Sequence, residues 1–271
     1  MMKILVTTDF SDTAKNAVRY AVQLSSQFRE AEIILYHSYS VLHLSGIPMP
    51  VLPEDTTTFR RSVMDEMSKL VEGMEDITPA TTRIHCETDV LPLIEGMQEI
   101  IDVRGIDLVI MGITGKGALG KTLIGSNTLA ATTRISLPVI IVPADASWVS
   151  VNKILFAYNR EQALLSSQSL HIHKLVTTLA AHLEVLYIGD EQPGTGVRQE
   201  LQRLLQLNDI SYHTIQEKRT AKEILQFAET AAANLVLALP GKYGFVEDLF
   251  HKSVTKELAY STKIPLVVIG Q

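Results

Sequence analysis

Cysteine is nearly missing from the 271-residue chain: Cys86 is the only one. An intrachain disulfide is thereby excluded, and a reducing compartment is expected. Cys86 itself reads as a small hydrophobe on a strand rather than as a reactive thiol. An excess of positive charge is missing as well. Twenty-four Lys and Arg stand against thirty Asp and Glu, a net charge of −6, so nothing global attracts nucleic acid or an anionic membrane. Long hydrophobic runs are the third absence. Leu137–Pro143 and Ile264–Ile269 are far short of a bilayer span, and Met1–Asp9 turns polar too soon for a signal-peptide core. The expectation is a soluble, cytoplasmic protein with neither a nucleic acid nor a membrane partner.

What is present is a regular alternation. Short apolar runs such as Lys3–Thr8, Ile33–His37, Ile84–Glu87, Asp107–Gly112 and Leu137–Val142 are separated by stretches with helical spacing. Phe59, Val63, Met67, Leu70, Val71 and Met74 form one such helical stripe. Strand and helix in alternation predict an α/β fold, with a parallel sheet and right-handed crossovers.

The pattern then begins again. Asn152–Phe156 echoes Met2–Val6, and Val185–Tyr187 echoes Ile34–Tyr36. Ile106–Val109 is answered by Ala233–Val236 (233 − 106 = 127), and the same offset carries Leu137–Val139 to Ile264–Leu266. The chain therefore reads as a duplicated unit, 1–145 and 146–271, joined near Ala144–Val151. Each half has five predicted strands and length enough for its own core, which favours two doubly wound five-stranded domains over a single ten-stranded sheet.

Met111–Thr128 carries the chemistry. Glycines at 112, 115, 117, 120 and 125 follow a predicted strand and precede a helix expected from Ser126, itself a suitable N-cap. Glycines admit positive φ and close approach of backbone amides, and a helix N-terminus adds free N–H groups and partial positive charge. Together they predict a phosphate pocket. Gly115–Thr122 also matches the P-loop pattern G-x-x-x-x-G-K-[ST], with Lys121 toward phosphates and Thr122 toward magnesium. Against this, Gly125-Ser126-Asn127 would interrupt the helix that a P-loop requires at Gly120–Thr122.

The other spacing, Gly112-x2-Gly115-x9-Gly125-Ser126 with Asp9 ending the first strand, resembles the nucleotide-binding pattern of the universal stress protein family. Thr7–Ser11, Leu35–His37, Ile110–Gly112 and Leu137–Ile140 add to the resemblance, which spans the first half and, more weakly, the second. It implies ATP held at the carboxyl ends of the strands. Asp9 would meet the ribose or the metal-phosphate region, through Mg2+. Thr8 and Ser38 would border the adenine, and Gly112 and Gly115 would line ribose and phosphates. Gly125, Ser126 and Asn127 would supply amides and a hydroxyl. Where the family often has Gly before a short turn and Pro, this chain has Val90-Leu91-Pro92. The resemblance also implies dimers paired through last strands, so Leu137–Val142 and Ile264–Ile269 are expected to meet within one chain as a pseudo-dimer, with a further homodimer left open.

By the same offset Leu239, Lys242 and Lys252 replace Gly112, Gly115 and Gly125 (239 − 112 = 127), and by the strand-one offset (153 − 3 = 150) Asn159 replaces Asp9. The second half is thus expected to lack the site. Its histidines 171, 173, 182, 213 and 251 have no ligand-like spacing and read as solvated. No Ser–His–Asp or Cys–His set and no paired carboxylate base is evident beside the glycine loop. The expected protein is an ATP-dependent regulator with at most slow hydrolysis. A P-loop-type ATPase or kinase and a nucleotide-free interaction scaffold are the alternatives.

Overall fold

The computed structural model describes residues 1–39, 56–113, 125–159, 164–188, 194–215, 221–240 and 263–270. In the first half, β1 (Met2–Thr7), α1 (Asp12–Leu24), β2 (Ala31–Ser38), α2 (Thr56–Glu72), β3 (Thr82–Asp89), α3 (Leu93–Arg104), β4 (Leu108–Gly112), α4 (Ser126–Arg134) and β5 (Pro138–Val142) follow one another. The second half runs β6 (Lys153–Asn159), α5 (Ser166–Leu179), β7 (His182–Ile188), α6 (Thr195–Leu205), β8 (Ile210–Ile215), α7 (Ala221–Thr230), β9 (Leu235–Ala238) and β10 (Leu266–Ile269).

The central strands read as continuous apolar runs because helices cover both faces. Ile4, Leu5 and Val6 in β1, and Val109 and Ile110 in β4, are fully buried. α1 meets the sheet through Ala14, Ala17, Val18, Ala21 and Val22, an i, i+3, i+4 stripe. α3 stops where Gly105 turns left-handed at φ 66°, a conformation that glycine adopts without a Cβ clash.

Strand order within each half is the same: β3-β2-β1-β4-β5 and β8-β7-β6-β9-β10. Each set of five is wholly parallel. The two sets are not separate sheets. β5 and β10 pair antiparallel, making one ten-stranded sheet, the arrangement that the length argument disfavoured. Length allows each half a core, but it does nothing for an apolar edge strand, which needs a neighbour.

The pairing register is symmetric. Val267 faces Ile140, its own counterpart by the repeat offset (267 − 140 = 127). Leu266 faces Ile141 and Val268 faces Val139, the same exchange read in both directions. A pseudo-twofold axis therefore passes through the Ile140–Val267 pair. One hydrophobic cluster runs across it, built from residues of α1, α2, α5 and α6 on the same side of the sheet. On the other side α3 covers the first half and α7 the second.

The segment joining the halves is strapped to α1. Asn16 Nδ2 donates to the carbonyls of Pro143, Ala144 and Ala146 at 3.0–3.2 Å. Tyr20 meets Trp148 edge-on at 5.2 Å. Gln27, just beyond the helix, bonds Val151 in both directions, at 3.1 and 2.7 Å.

One sequence echo is out of step. Ile4 faces Ile33 in the first half and Ile154 faces Leu183 in the second, so the true offset there is 150 and the Ile34–Tyr36 and Val185–Tyr187 match is shifted by one residue. The consequence is that Glu184 occupies the place of Ile34. It is buried and held by Lys153 Nζ at 2.9 Å and His213 Nε2 at 3.3 Å. Among the described residues no helix is long and apolar enough to cross a membrane.

Candidate functional site

In the first half the chain adds β2 and β3 on one side of β1 and then β4 and β5 on the other. The crevice at such a reversal opens at the carboxyl ends of the two flanking strands, here Thr7–Asp9 after β1 and Gly112–Ile113 after β4.

The turn leaving β1 is tightly built. Thr8 N continues the ladder to Tyr36 O at 2.9 Å, and its hydroxyl accepts from Phe10 N at 3.0 Å. Asp9 Oδ1 accepts from both Ser11 N, at 3.0 Å, and Ser11 Oγ, at 2.5 Å. Ser11 is the N-cap of α1 and accepts from Ala14 N. Between them Phe10 adopts φ 63°, a left-handed conformation that costs a non-glycine residue about 1–2 kcal/mol. Asp9 thus serves the cap and stands at the strand end together.

Gly112 shows why a glycine is needed after β4. A Cβ there would lie 2.9 Å from Thr13 O and 3.0 Å from Thr13 C. The missing side chain is the space taken by the first turn of α1. The Gly112 carbonyl accepts from Thr128 Oγ1 at 3.0 Å, which ties α4 to the same strand end.

α4 begins at Ser126 as expected, but its cap lies one residue earlier. Gly125, not Ser126, is the N-cap, with φ −60° and ψ 140°. No positive φ is required of it. Its N–H bonds Ile113 O at 2.9 Å, and having no side chain it offers no oxygen to the amides of the first turn. Ser126 and Asn127, both exposed, open the helix beyond it. Gly115, Lys121 and Thr122 lie outside the described residues. Because Gly125 is extended, no helix continues through it from Lys121, as a P-loop would require.

Thr8, Asp9, Gly112, Gly125, Ser126 and Asn127 therefore lie at the carboxyl ends of the adjacent β1 and β4 and at the start of α4. Ser38 is engaged elsewhere, its hydroxyl donating to Leu91 O at 2.5 Å. Next to it Asp89 Oδ1 accepts from Tyr36 OH and Leu91 N. Burial first, and then this carboxylate, raise the Tyr36 phenol above its ordinary range. The residue missed in the sequence is His37. Its Nδ1 donates to Thr8 O at 2.7 Å, and its ring lies 4.8 Å from Phe10 and stacks 6.5 Å from Tyr39. Its place near the end of β2, immediately after the buried run Ile33–Tyr36, was the available signal.

The second half differs at the corresponding place. Leu239, in the position of Gly112, is a buried side chain packed into the core. α5 starts at Ser166, whereas the start of α1 carried by the 150-residue offset falls at residue 162 (12 + 150). α5 is as long as α1, 14 residues against 13, but begins about one turn later. The side chain of Asn159 and the loop with Lys242 and Lys252 lie outside the described residues, as does His251. Among the described residues no group of three His, Cys, Asp or Glu is placed to hold a metal ion.

The profile of the Universal stress protein family matches residues 1–143. A universal stress protein of Methanocaldococcus jannaschii is 27% identical over 145 residues, covering 52% of this chain and 81% of that protein. Among solved structures, a universal stress protein from Archaeoglobus fulgidus superposes with TM-score 0.66 at 14% identity, covering 99% of this chain and 96% of the other. A putative universal stress protein from Pseudomonas aeruginosa gives TM-score 0.53 at 11% identity, over 100% and 93% of the two chains. At those identities the structures speak to fold alone, and they extend the likeness across both halves, while the profile covers more than half of the sequence: the chain belongs to the universal stress protein family.

Proposed function

We propose that the first half, residues 1–145, binds one ATP with Mg2+, and that the chain is a cytoplasmic nucleotide-dependent regulator with at most slow hydrolysis. The observation that carries this reading is the meeting of Asp9, the Gly112 strand end and the start of α4 at the topological switch point. A helix start capped by a glycine presents amide donors and a partial positive charge to an anion. Asp9 would repel a bare triphosphate, so its presence favours a nucleotide that arrives with a divalent cation between them. The hydroxyl–carboxylate pair described at the crevice, Ser11 with Asp9, is taken up in capping α1, which agrees with binding rather than rapid turnover.

The second half, residues 146–271, is then a degenerate partner domain. Leu239, buried, puts a side chain where the first half has Gly112. Titration calorimetry tests the reading: one ATP per chain, with affinity lost when Mg2+ is chelated. Two equal sites, or no binding with Mg2+ present, would overturn it.

A further inference from the structure

The second half carries a constellation unconnected with the nucleotide crevice. His182 opens β7, Ser211 lies on β8, and Asp209 precedes β8 by one residue. Ser211 Oγ is 2.9 Å from His182 Nε2, and His182 Nδ1 is 3.3 Å from Asp209 Oδ2. The Asp209 carboxylate stands at ion-pair distance from Nδ1 and favours a proton on that nitrogen. Nε2 is then the acceptor for the Ser211 hydroxyl. This is the order of contacts by which a serine is activated: nucleophile, base through Nε2, and orienting carboxylate through Nδ1.

Three further features bear on reactivity. Glu184, the register partner of Ser211 on β7, is engaged by Lys153 and His213. β8 is the last strand of the sheet. Alternate amides of such a strand point away from its neighbour, so either the Ser211 N–H or that of Tyr212 faces outward, where a developing oxyanion can be bound. The third feature comes from the repeat. Because Ile33 faces Ile84 and Leu183 faces Ile210, His182, Asp209 and Ser211 correspond to Glu32, Arg83 and His85. There the first half holds only a Glu32–His85 contact of 3.4 Å. The serine-histidine pair belongs to the half in which Leu239 stands in the place of Gly112.

We propose that Asp209, His182 and Ser211 form a second active site, a serine esterase centre for small, unhindered acyl esters. Its open setting suits such substrates, since the His182 side chain is 31% exposed and that of Asp209 93%. Ser211 Oγ attacks the ester carbonyl carbon while its proton passes to His182 Nε2. The protonated imidazole returns that proton to the departing alkoxide, leaving an acyl-serine. Water then attacks the acyl carbon, giving a proton to His182, which restores it to Ser211 Oγ. The sum is ester plus water to acid plus alcohol.

The test uses the full chain with p-nitrophenyl acetate and a fluorophosphonate probe. Ser211 acquires the phosphonyl adduct, located by peptide mass spectrometry, and ester hydrolysis exceeds the buffer rate. Ser211→Ala abolishes both while keeping the wild-type circular dichroism spectrum and urea midpoint. His182→Gln lowers hydrolysis by roughly 10²–10⁴-fold. Asp209→Asn lowers it only about tenfold, because an exposed carboxylate is well screened. An unlabelled Ser211 overturns the proposal, as does Ser211→Ala hydrolysing the ester at the wild-type rate, which would mark His182 as a simple imidazole nucleophile.

Discussion

Replacing Gly112 with alanine tests the join between fold and site with a single methyl group. The added Cβ would meet Thr13 O at 2.9 Å, Thr13 C at 3.0 Å and Thr13 Cγ2 at 3.1 Å. Two of these three atoms are backbone and cannot rotate away, so the first turn of α1 must move by a few tenths of an ångström. Overpacking of this kind costs about 1–3 kcal/mol, or roughly 2–12 °C in Tm for a chain of this size. The same displacement carries Ser11, and with it the carboxylate of Asp9. Calorimetric affinity for MgATP should therefore fall about tenfold, beyond any loss of folded protein. The control is Gly196→Ala at the second residue of α6, where a Cβ meets nothing within 4 Å. That substitution should raise stability by about 0.5–1 kcal/mol through helix propensity. Urea denaturation of both variants reads the difference. A Gly112→Ala protein as stable as Gly196→Ala, with unchanged nucleotide affinity, would refute the packing argument.

Two further outcomes follow from buried positions. Ile140→Glu places an uncompensated carboxylate on the axis pair, at a fully buried residue. It should cost more than about 4 kcal/mol and enlarge the radius seen by small-angle scattering as the halves part; an unchanged urea midpoint and profile would contradict the role of β5. Burial pushes the Cys86 thiol above its ordinary value, so at pH 8 less thiolate is present than in a free cysteine. Iodoacetamide alkylation should be slower than for a cysteine peptide, with its pH midpoint displaced upward, and a midpoint below that of the peptide would be inconsistent with this environment.

Strands buried on both faces were legible because their apolar runs need no context: β1, β4 and β5 fall where the sequence puts them. The offset of 127 reappears in the pairing of β5 with β10, whereas the first strands of the two halves are related by 150. What was lost depends on pairings that no local pattern records. The Val185–Tyr187 echo misled by one residue because residue types at neighbouring positions are nearly interchangeable, and only the ladder from Ile154 to Leu183 fixes the register. Gly125 outranked Ser126 as the cap because its N–H is held by Ile113, a contact set by β4. The need for Gly112 was read as room for a ligand, whereas the atom filling that room belongs to Thr13. The His182–Ser211 contact joins residues 29 apart in sequence and exists only once β7 and β8 are aligned.

The symmetric register of β5 and β10 has an evolutionary consequence. In an assembly of two identical chains, whatever residue lies on the twofold faces itself, and every interface substitution is introduced twice. A favourable change on one side is then inseparable from its mirror image. Here the axis pair is isoleucine against valine, a combination that identical subunits cannot make at one position. Fusion into one chain lets each face of the junction change alone, and each half accumulate its own chemistry while its partner holds the fold.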